Sequence, residues 1–81
     1  MDITIHFYSY FKELTGCERA TVAVARGGTI GDLLKHLVAR FPKLGEMQNS
    51  TLAAVGLEYQ SRGYVLKEGD EVSLFPPVQG G

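Results

Sequence analysis

Apolar and polar residues alternate along two stretches in the N-terminal part of the chain. In residues 3–8 every second side chain is apolar, which is typical of a half-buried strand. The apolar positions are Ile3, Ile5 and Phe7. A similar alternation covers residues 18–24, and residues 10–16 between them, which end at Gly16, suit a short helical turn or loop. The pattern predicts a β-hairpin with an irregular connection.

The middle of the chain predicts one long helix. Thr29 with Asp32 three residues later resembles a capping box, in which the shorter Asp replaces the usual Glu or Gln. The apolar residues that follow recur with the spacing of one helix face. They are Ile30, Leu33, Leu34, Leu37, Val38 and Phe41. Pro42 is expected to end the helix.

The second half of the chain predicts short β elements. Residues 43–51 have the composition of a loop, and the apolar run 52–55 before Gly56 is typical of an interior strand. A short β segment is expected over residues 64–66, followed by a last strand over residues 71–75.

This order of elements predicts a two-layer α+β domain. One main helix would pack across a mixed sheet of four or five strands, with the first and last strands as parallel neighbours in its middle. That is the order of the β-grasp, or ubiquitin-like, fold. We expect the β-grasp domain to span residues 1–76 and a flexible Gly-Gly tail to span residues 77–81.

Composition narrows the possible functions. A chain of 81 residues, 44% of them hydrophobic, suits one small domain without a deep enclosed catalytic pocket. A net charge of −1 argues against nucleic acid as a partner. The single cysteine, Cys17, excludes metal sites and disulfides that need several cysteines and fits a reducing compartment. Because no apolar run is long enough for a membrane span or a signal peptide, we expect a soluble, cytoplasmic protein that does not bind membranes.

The C-terminal segment carries the candidate chemistry. Pro76 and Pro77 cannot donate backbone hydrogen bonds to a sheet, so the last strand should end there and release the tail. Gly80 and Gly81 have no side chains, so the terminal carboxylate can enter a narrow site on another protein. Once activated as an acyl-adenylate, such a carboxylate can accept sulfur and become a nucleophilic thiocarboxylate.

Three segments of the chain resemble the small subunit of molybdopterin synthase. They are residues 52–55, 66–72 and 75–81, and residues 12–16 also resemble that family's first turn. The ending Phe-Pro-Pro-Val-Gln-Gly-Gly is specific to this family, whereas a bare Gly-Gly would indicate only the wider class of sulfur carriers and ubiquitin-like proteins.

The resemblance implies a non-catalytic sulfur carrier for molybdenum cofactor biosynthesis. An adenylyltransferase of the ubiquitin-activating type would use ATP and magnesium to adenylate Gly81. A sulfur donor, such as a cysteine desulfurase or a rhodanese-like protein, would then convert Gly81 to 1-thioglycine, the thiocarboxylate. The tail would deliver this sulfur to cyclic pyranopterin monophosphate in the large synthase subunit, which holds the catalytic lysines. The family assembles two small and two large subunits, and no cofactor would stay bound permanently to the small one.

The resemblance also implies a partner-binding surface. Alternation that buries Val72 and Leu74 turns Phe75 outward, where an aromatic side chain often anchors an interface. Tyr8 and Tyr59 stand where the family tends to place exposed apolar residues that meet the partner. The expected partner-binding residues are Tyr8, Tyr59, Phe75, Pro76, Pro77, Val78 and Gln79.

Other interpretations of these features remain open. The same carrier chemistry at Gly81 would serve thiamine thiazole synthesis or another sulfur pathway, and an isopeptide bond from Gly81 to a lysine would make the chain a ubiquitin-like protein modifier. A plain β-grasp interaction module would need no terminal chemistry. A separate alternative makes Phe75, Tyr8 and Tyr59 ordinary sheet residues rather than partner contacts.

The remaining reactive side chains are assigned no site. Cys17 falls in a polar turn beside Glu18, whose charge opposes thiolate formation. The two histidines are far apart in the sequence and are not expected to bind metal. They are His6 and His36. The acidic residues near the last turn are expected to serve turn geometry and solubility, or to meet a basic surface on the activating enzyme. They are Glu68, Asp70 and Glu71.

Overall fold

The computed structural model describes residues 1–9, 11–47 and 50–76, and its centre is a five-stranded mixed sheet. The strands are β1 (Asp2–Phe7), β2 (Arg19–Ala23), β3 (Leu52–Val55), β4 (Glu58–Gln60) and β5 (Glu71–Phe75). They lie in the order β2-β1-β5-β3-β4. β1 and β5 are parallel, and the other three pairs of neighbours are antiparallel. The first and last strands are therefore central parallel neighbours, as predicted.

One face of the sheet, the covered face, is packed under the main helix, α2 (Ile30–Arg40). Strand alternation places the apolar residues of β1 and β5 on this face, where water does not reach them. They are Ile3, Ile5, Phe7, Val72 and Leu74. The helix contributes Ile30, Leu33, Leu34 and Leu37, all buried. Val38 and Phe41, predicted for the same stripe, are partly buried against this core.

The predicted capping box begins α2. The Thr29 hydroxyl accepts a hydrogen bond from the Asp32 backbone N–H at 3.2 Å, and the Asp32 carboxylate accepts one from the Thr29 N–H at 3.0 Å. These hydrogen bonds hold the pKa of Asp32 below its ordinary value. The helix ends at Arg40, and the N–H of Phe41 bonds to the carbonyl of Leu37. The start and the end predicted for the helix are both confirmed.

The β1–β2 connection has the predicted irregular form. It contains a short helix, α1 (Phe11–Thr15), which buries Phe11. Gly16 follows with φ of +77°, a conformation that side chains with a Cβ rarely adopt, so glycine is suited to ending the helix here. The hairpin expected from the alternation of the two strands is confirmed.

The prediction of a loop over residues 43–51 is wrong for the first half of this segment. A 3₁₀-helix covers Pro42–Met47, and it buries Leu44 in the core between α1 and α2. Leu44 stands three positions from Phe41 and from Met47, which also pack against the core, but so short a segment does not distinguish this spacing from that of a loop. Tertiary packing, rather than a local pattern, supports this helical turn.

The short β elements after β3 also differ from the prediction. Residues 64–66 form no strand, and Val65 makes a single β-bridge with Thr29. The additional strand is instead β4, which pairs with β3 through a two-residue turn at Gly56 and Leu57. Gly56 has φ of +62°, which the first position of such a turn requires. The polar sequence of β4 hides it from an apolar pattern.

Candidate functional site

Three aromatic side chains meet on the open face of the sheet, opposite α2. The ring of Tyr8 stacks on that of Phe75 with 4.8 Å between centroids and 13° between planes. Tyr59 meets Phe75 edge-on, at 6.1 Å and 70°. Tyr8, Tyr59 and Phe75 are hereafter the aromatic patch. The structure thus joins three residues that are distant in sequence into one surface.

Strand register explains why these rings converge. Phe75 is the last residue of β5, and Tyr8 lies just beyond the end of β1, where its N–H bonds to the Leu74 carbonyl at 3.3 Å. Tyr59 lies on β4 opposite Ala54 of β3. Strand β3 therefore lies between Tyr59 and Phe75 of β5. Because Ala54 is small, it leaves the space above β3 open for the ring of Tyr59 to reach Phe75.

A shallow groove of about 270 Å³ adjoins the patch. Ala54 and Ser73 line it together with the three aromatic rings. Leu57 and Gly56, from the β3–β4 turn, complete its lining. The groove can therefore accept an apolar group of a partner, and the patch remains accessible because Tyr8 is 43% and Tyr59 67% exposed.

Leu57 is a candidate contact residue that the sequence reasoning missed. Its side chain is fully exposed at the tip of the β3–β4 turn, beside the groove. An apolar residue directly after a turn glycine was the signal available in the sequence, since turn positions usually favour polar residues. The exposure of Leu57 follows from the sequence only if residues 56 and 57 are known to form the turn of the β3–β4 hairpin.

The base of the C-terminal tail lies at the aromatic patch. Phe75 and the next residue, Pro76, are half-buried. Pro77, Val78, Gln79, Gly80 and Gly81 lie outside the described residues. Five residues span about 16 Å when extended, so a partner that covers the patch would have the chain terminus within reach of its interior.

Polar side chains border the patch on the same open face. His6 Nε2 lies 2.7 Å from Glu71 Oε1, which joins β1 to β5. In the turn before β5, the Asp70 carboxylate accepts a hydrogen bond from the Lys67 N–H at 2.8 Å. Glu68 lies 3.8 Å from Arg26. Asp70 therefore has the turn role expected for the acidic residues, whereas Glu71 pairs with His6 across the strands and Glu68 pairs with an exposed arginine.

Cys17 differs from its expected environment. It is half-buried and packs against the hydrophobic core, with its Sγ 3.7 Å from the Thr15 hydroxyl, rather than lying in an open polar turn. The packing of α1 on the core draws this segment inward. Within residues 1–9, 11–47 and 50–76, no group of three or more His, Cys, Asp or Glu residues is placed to hold a metal.

The architecture and the comparisons together define the class of this protein. A sheet with the order β2-β1-β5-β3-β4 and one helix across it is the β-grasp, ubiquitin-like fold, as predicted. The model of the ThiS family matches residues 5–81, so the chain belongs to the ThiS family. In the part of the chain that the structure describes, no helix has the length and apolar character of a membrane span.

The curated relatives share one description. The chain is 36% identical over 81 residues to the molybdopterin synthase sulfur carrier subunit of Escherichia coli, covering 98% of this chain and 99% of that protein. It is 30% identical to the Arabidopsis thaliana protein of the same description, covering 100% of this chain and 84% of that protein. The resemblance to the small subunit of molybdopterin synthase is confirmed.

Solved structures agree on the fold. The small archaeal modifier protein 1 of Haloferax volcanii superposes with a TM-score of 0.84 at 28% identity, covering 95% of this chain and 98% of that one. A chain from the complex of subunits 1 and 2 of the molybdopterin-converting factor of Helicobacter pylori superposes with a TM-score of 0.70 at 24% identity, with both chains fully covered. The second likeness speaks for the fold alone.

Proposed function

We propose that this chain is the sulfur carrier of a molybdopterin synthase. The observation that carries the proposal is its similarity, over nearly the whole length of both chains, to proteins described as molybdopterin synthase sulfur carrier subunits. The aromatic patch supports it, because an accessible apolar surface at the base of the tail suits a protein that presents its C-terminus to a partner.

The chemistry would take place at the carboxylate of Gly81. A carboxylate oxygen attacks the α-phosphate of ATP and displaces pyrophosphate. The product is an acyl-adenylate at the terminus. The terminal sulfur of a donor persulfide then attacks the carbonyl carbon and expels AMP, and a thiol cleaves the resulting acyl disulfide to leave the thiocarboxylate. The adenylyltransferase, its ATP and magnesium, and the persulfide donor are external to this chain.

The acceptor would be cyclic pyranopterin monophosphate in the large subunit of the synthase. The thiocarboxylate sulfur forms a C–S bond to a side-chain carbon of the pterin while a C–O bond at that carbon breaks, and hydrolysis of the resulting thioester leaves the sulfur on the pterin and returns Gly81 to a carboxylate. Two successive carriers would supply the two sulfurs of the dithiolene. We expect two small and two large subunits in the complex, in the cytoplasm, where a chain with one cysteine needs no oxidative folding. The large subunit would supply the catalytic groups, and this chain the reactive sulfur.

The aromatic patch would be the docking surface for the large subunit. Tyr8 and Phe75 already stack on each other in the free chain, so little side-chain freedom is lost when a partner covers them. Leu57 extends the apolar area on one side, and the His6–Glu71 pair supplies a polar border on the other. A hydrophobic centre with a polar rim is the usual composition of a specific interface.

Deletion of Gly81 tests the carrier mechanism directly. The purified chain is incubated with an adenylyltransferase, ATP, magnesium and a persulfide donor, and its intact mass is measured. We expect the full chain to gain the mass difference between sulfur and oxygen and the truncated chain to gain none. Circular dichroism should show the same fold for both, because the tail extends from the end of β5.

Gln79→Ala is the matched control in this assay, which contains no large subunit, because it changes an expected contact residue of the tail but keeps the tail's length and both terminal glycines. This variant should acquire sulfur like the unaltered chain. Sulfur transfer by the chain that lacks Gly81, in a synthase assay with the large subunit, would refute the mechanism.

Protein modification is the second candidate function. The similarity to the small archaeal modifier protein 1 of Haloferax volcanii favours it, and modifiers need the same activated C-terminus. In that case Gly81 would appear joined by an isopeptide bond to lysines of larger proteins. Mass spectrometry of tryptic peptides from cells would detect this linkage. A carrier for a thiazole acceptor would form the same thiocarboxylate at Gly81 but would transfer no sulfur to the pterin.

A further inference from the structure

The outer edge of β2 has a row of backbone groups that pair with no other strand among the described residues. Val24 N–H bonds to the Met1 carbonyl at 2.8 Å, and the Met1 ammonium bonds to the Val24 carbonyl at 2.9 Å. In an antiparallel ladder, hydrogen-bonded pairs alternate with pairs that direct these groups outward. The register therefore makes Arg19, Thr21 and Ala23 direct their N–H and C=O groups away from β1.

One of these outward groups is already occupied by a side chain. The Arg40 guanidinium, at the end of α2, donates from Nη1 to the Thr21 carbonyl at 3.1 Å. A charged side chain over an edge strand protects it from unwanted pairing. The same arrangement places a cation where a carboxylate of an incoming strand would lie.

A groove of about 280 Å³ runs beside this edge. One wall is the end of β2 with Val24, Ala25 and Gly28, and the other is the exposed face of α2. The helix residues that line it share one face, since they are three or four positions apart. They are Asp32, Lys35, His36 and Ala39.

The shape of the groove depends on Gly28. A Cβ at this position would lie 2.5 Å from Val24 Cγ1 and 2.9 Å from the Ala25 carbonyl oxygen. The apolar wall thus forms only because glycine lets the chain approach Val24 closely. Val24 itself is buried, so the groove offers contacts for small apolar side chains mainly through Ala25 and Ala39, which are exposed on its two sides.

The charges beside the groove favour an acidic ligand. Lys35 and Arg40 are exposed cations on the helix side. Asp32 also lines the groove and its carboxylate is ionised, but it already accepts a hydrogen bond from the Thr29 N–H in the helix cap, so the two cations outnumber one carboxylate that is engaged elsewhere. An extended peptide with acidic residues flanking an apolar centre would satisfy the edge, the groove and the cations together.

We propose that the β2 edge and the groove beside α2 bind an extended acidic segment of a partner protein as an additional strand of the sheet. Its backbone accepts hydrogen bonds from the N–H groups of Thr21 and Ala23, and its apolar side chains contact Ala25 and Ala39. Its carboxylates pair with Lys35 and with Arg40, whose guanidinium leaves the Thr21 carbonyl free for the new ladder. Tyr59 lies on β4, at the opposite edge of the sheet from β2, and the rings of the aromatic patch lie on the open face, whereas the groove lies on the side of α2. A partner held at β2 leaves the tail and its docking surface accessible. The proposal goes beyond the proposed function and does not depend on it.

Nuclear magnetic resonance of the full chain tests the proposal with one probe, the peptide acetyl-Asp-Glu-Val-Ile-Val-Ile-Asp-Glu-amide. We expect the amide protons of Thr21 and Ala23 to exchange more slowly with solvent when the peptide is present, because a new ladder protects them. The signals of Tyr59 should stay unchanged. A peptide with the same sequence that is N-methylated at alternate residues cannot form the ladder and should not protect these amides.

Charge variants test the acidic character of the ligand. Lys35→Glu should weaken peptide binding about fivefold or more, since an attractive contact becomes repulsive. Lys12→Glu is the matched control: it makes the same charge change in α1, beyond the opposite end of β1, and should leave the affinity within about twofold.

Three results would overturn the proposal. They are unchanged exchange at Thr21 and Ala23 with the peptide, equal protection by the N-methylated peptide, and equal loss of affinity in the two lysine variants. Protection of the same amides without peptide, together with concentration-dependent dimers in sedimentation, would also overturn it, because the edge would then pair with a second copy of this chain.

Discussion

The two faces of the sheet use the same strands for different purposes. On the covered face, Ile5 and Val72 are completely buried against α2. On the open face, the neighbouring residues His6 and Ser73 are polar and partly exposed, and the row ends at the aromatic ring of Phe75. The covered face supplies the hydrophobic free energy of folding. The open face contributes less to folding, so its aromatic side chains are available for a partner.

Truncation of a covered residue should have the largest effect. Ile5→Ala removes a fully buried side chain from the central strand and should lower the free energy of unfolding by about 2–5 kcal/mol, because a cavity adds to the lost burial. Urea denaturation followed by circular dichroism measures this change. Thr4→Ala, one residue away on the open face, should change the value by less than about 1 kcal/mol. Equal losses would contradict the contrast between the faces.

Truncation within the aromatic patch should show the opposite balance. Phe75→Ala should weaken binding to the large subunit of the synthase by roughly 1–3 kcal/mol, because a stacked anchor at the centre of the interface is lost. Isothermal titration calorimetry measures the affinity. Val65→Ala removes another exposed apolar side chain outside the patch and should bind normally. Normal binding by Phe75→Ala would show that the docking surface lies elsewhere.

The start of α2 sets how the helix covers the sheet. Thr29→Ala removes the hydroxyl that accepts from the Asp32 N–H and should cost about 1 kcal/mol of stability. Thermal unfolding of the two proteins gives this difference. Thr29→Ser keeps the hydroxyl and should recover most of it. If serine fails to do so, the capping hydrogen bond is not the source of the loss.

Replacing Asp32, the carboxylate of the capping box, should have the smallest effect on the free energy of unfolding, and this effect should depend on pH. Hydrogen bonds from Thr29 lower the pKa of Asp32 in the folded chain, so ionised Asp32 stabilises the fold above its ordinary pKa of about 3.9. This contribution is lost as the pH falls through the lowered pKa. Asp32→Asn should therefore be less stable than the unaltered chain at pH 7, and the gap should narrow at pH 2. A gap that is independent of pH would contradict this assignment.

Sequence reasoning worked best where local patterns coincide with tertiary burial. The spacing of Leu33, Leu34 and Leu37 and the pair Thr29 and Asp32 define α2 from start to end, because a helix face and a cap are local features. The 3₁₀-helix around Leu44 and the strand β4 were not predicted. Both depend on contacts with distant elements, and the local residues carry little periodic signal.

The candidate site divides in the same way. Phe75 was placed on the open face from alternation alone, and Tyr8 and Tyr59 by resemblance. Neither alternation nor resemblance shows that the three rings are in contact. Their contact depends on the strand register, which sets Tyr59 opposite Ala54. Leu57 was missed because its exposure depends on the β3–β4 turn.

The sequence by itself determined the fold class, the main helix and the glycine-ended tail as the candidate reactive group, because these depend on residue spacing and on the chemistry of individual residues. Only the tertiary structure decided which binding surfaces the chain presents besides that tail. The aromatic patch on the open face and the unpaired edge of β2 both result from strand order. Strand order is fixed by long-range burial against α2, which places residues from distant parts of the chain side by side.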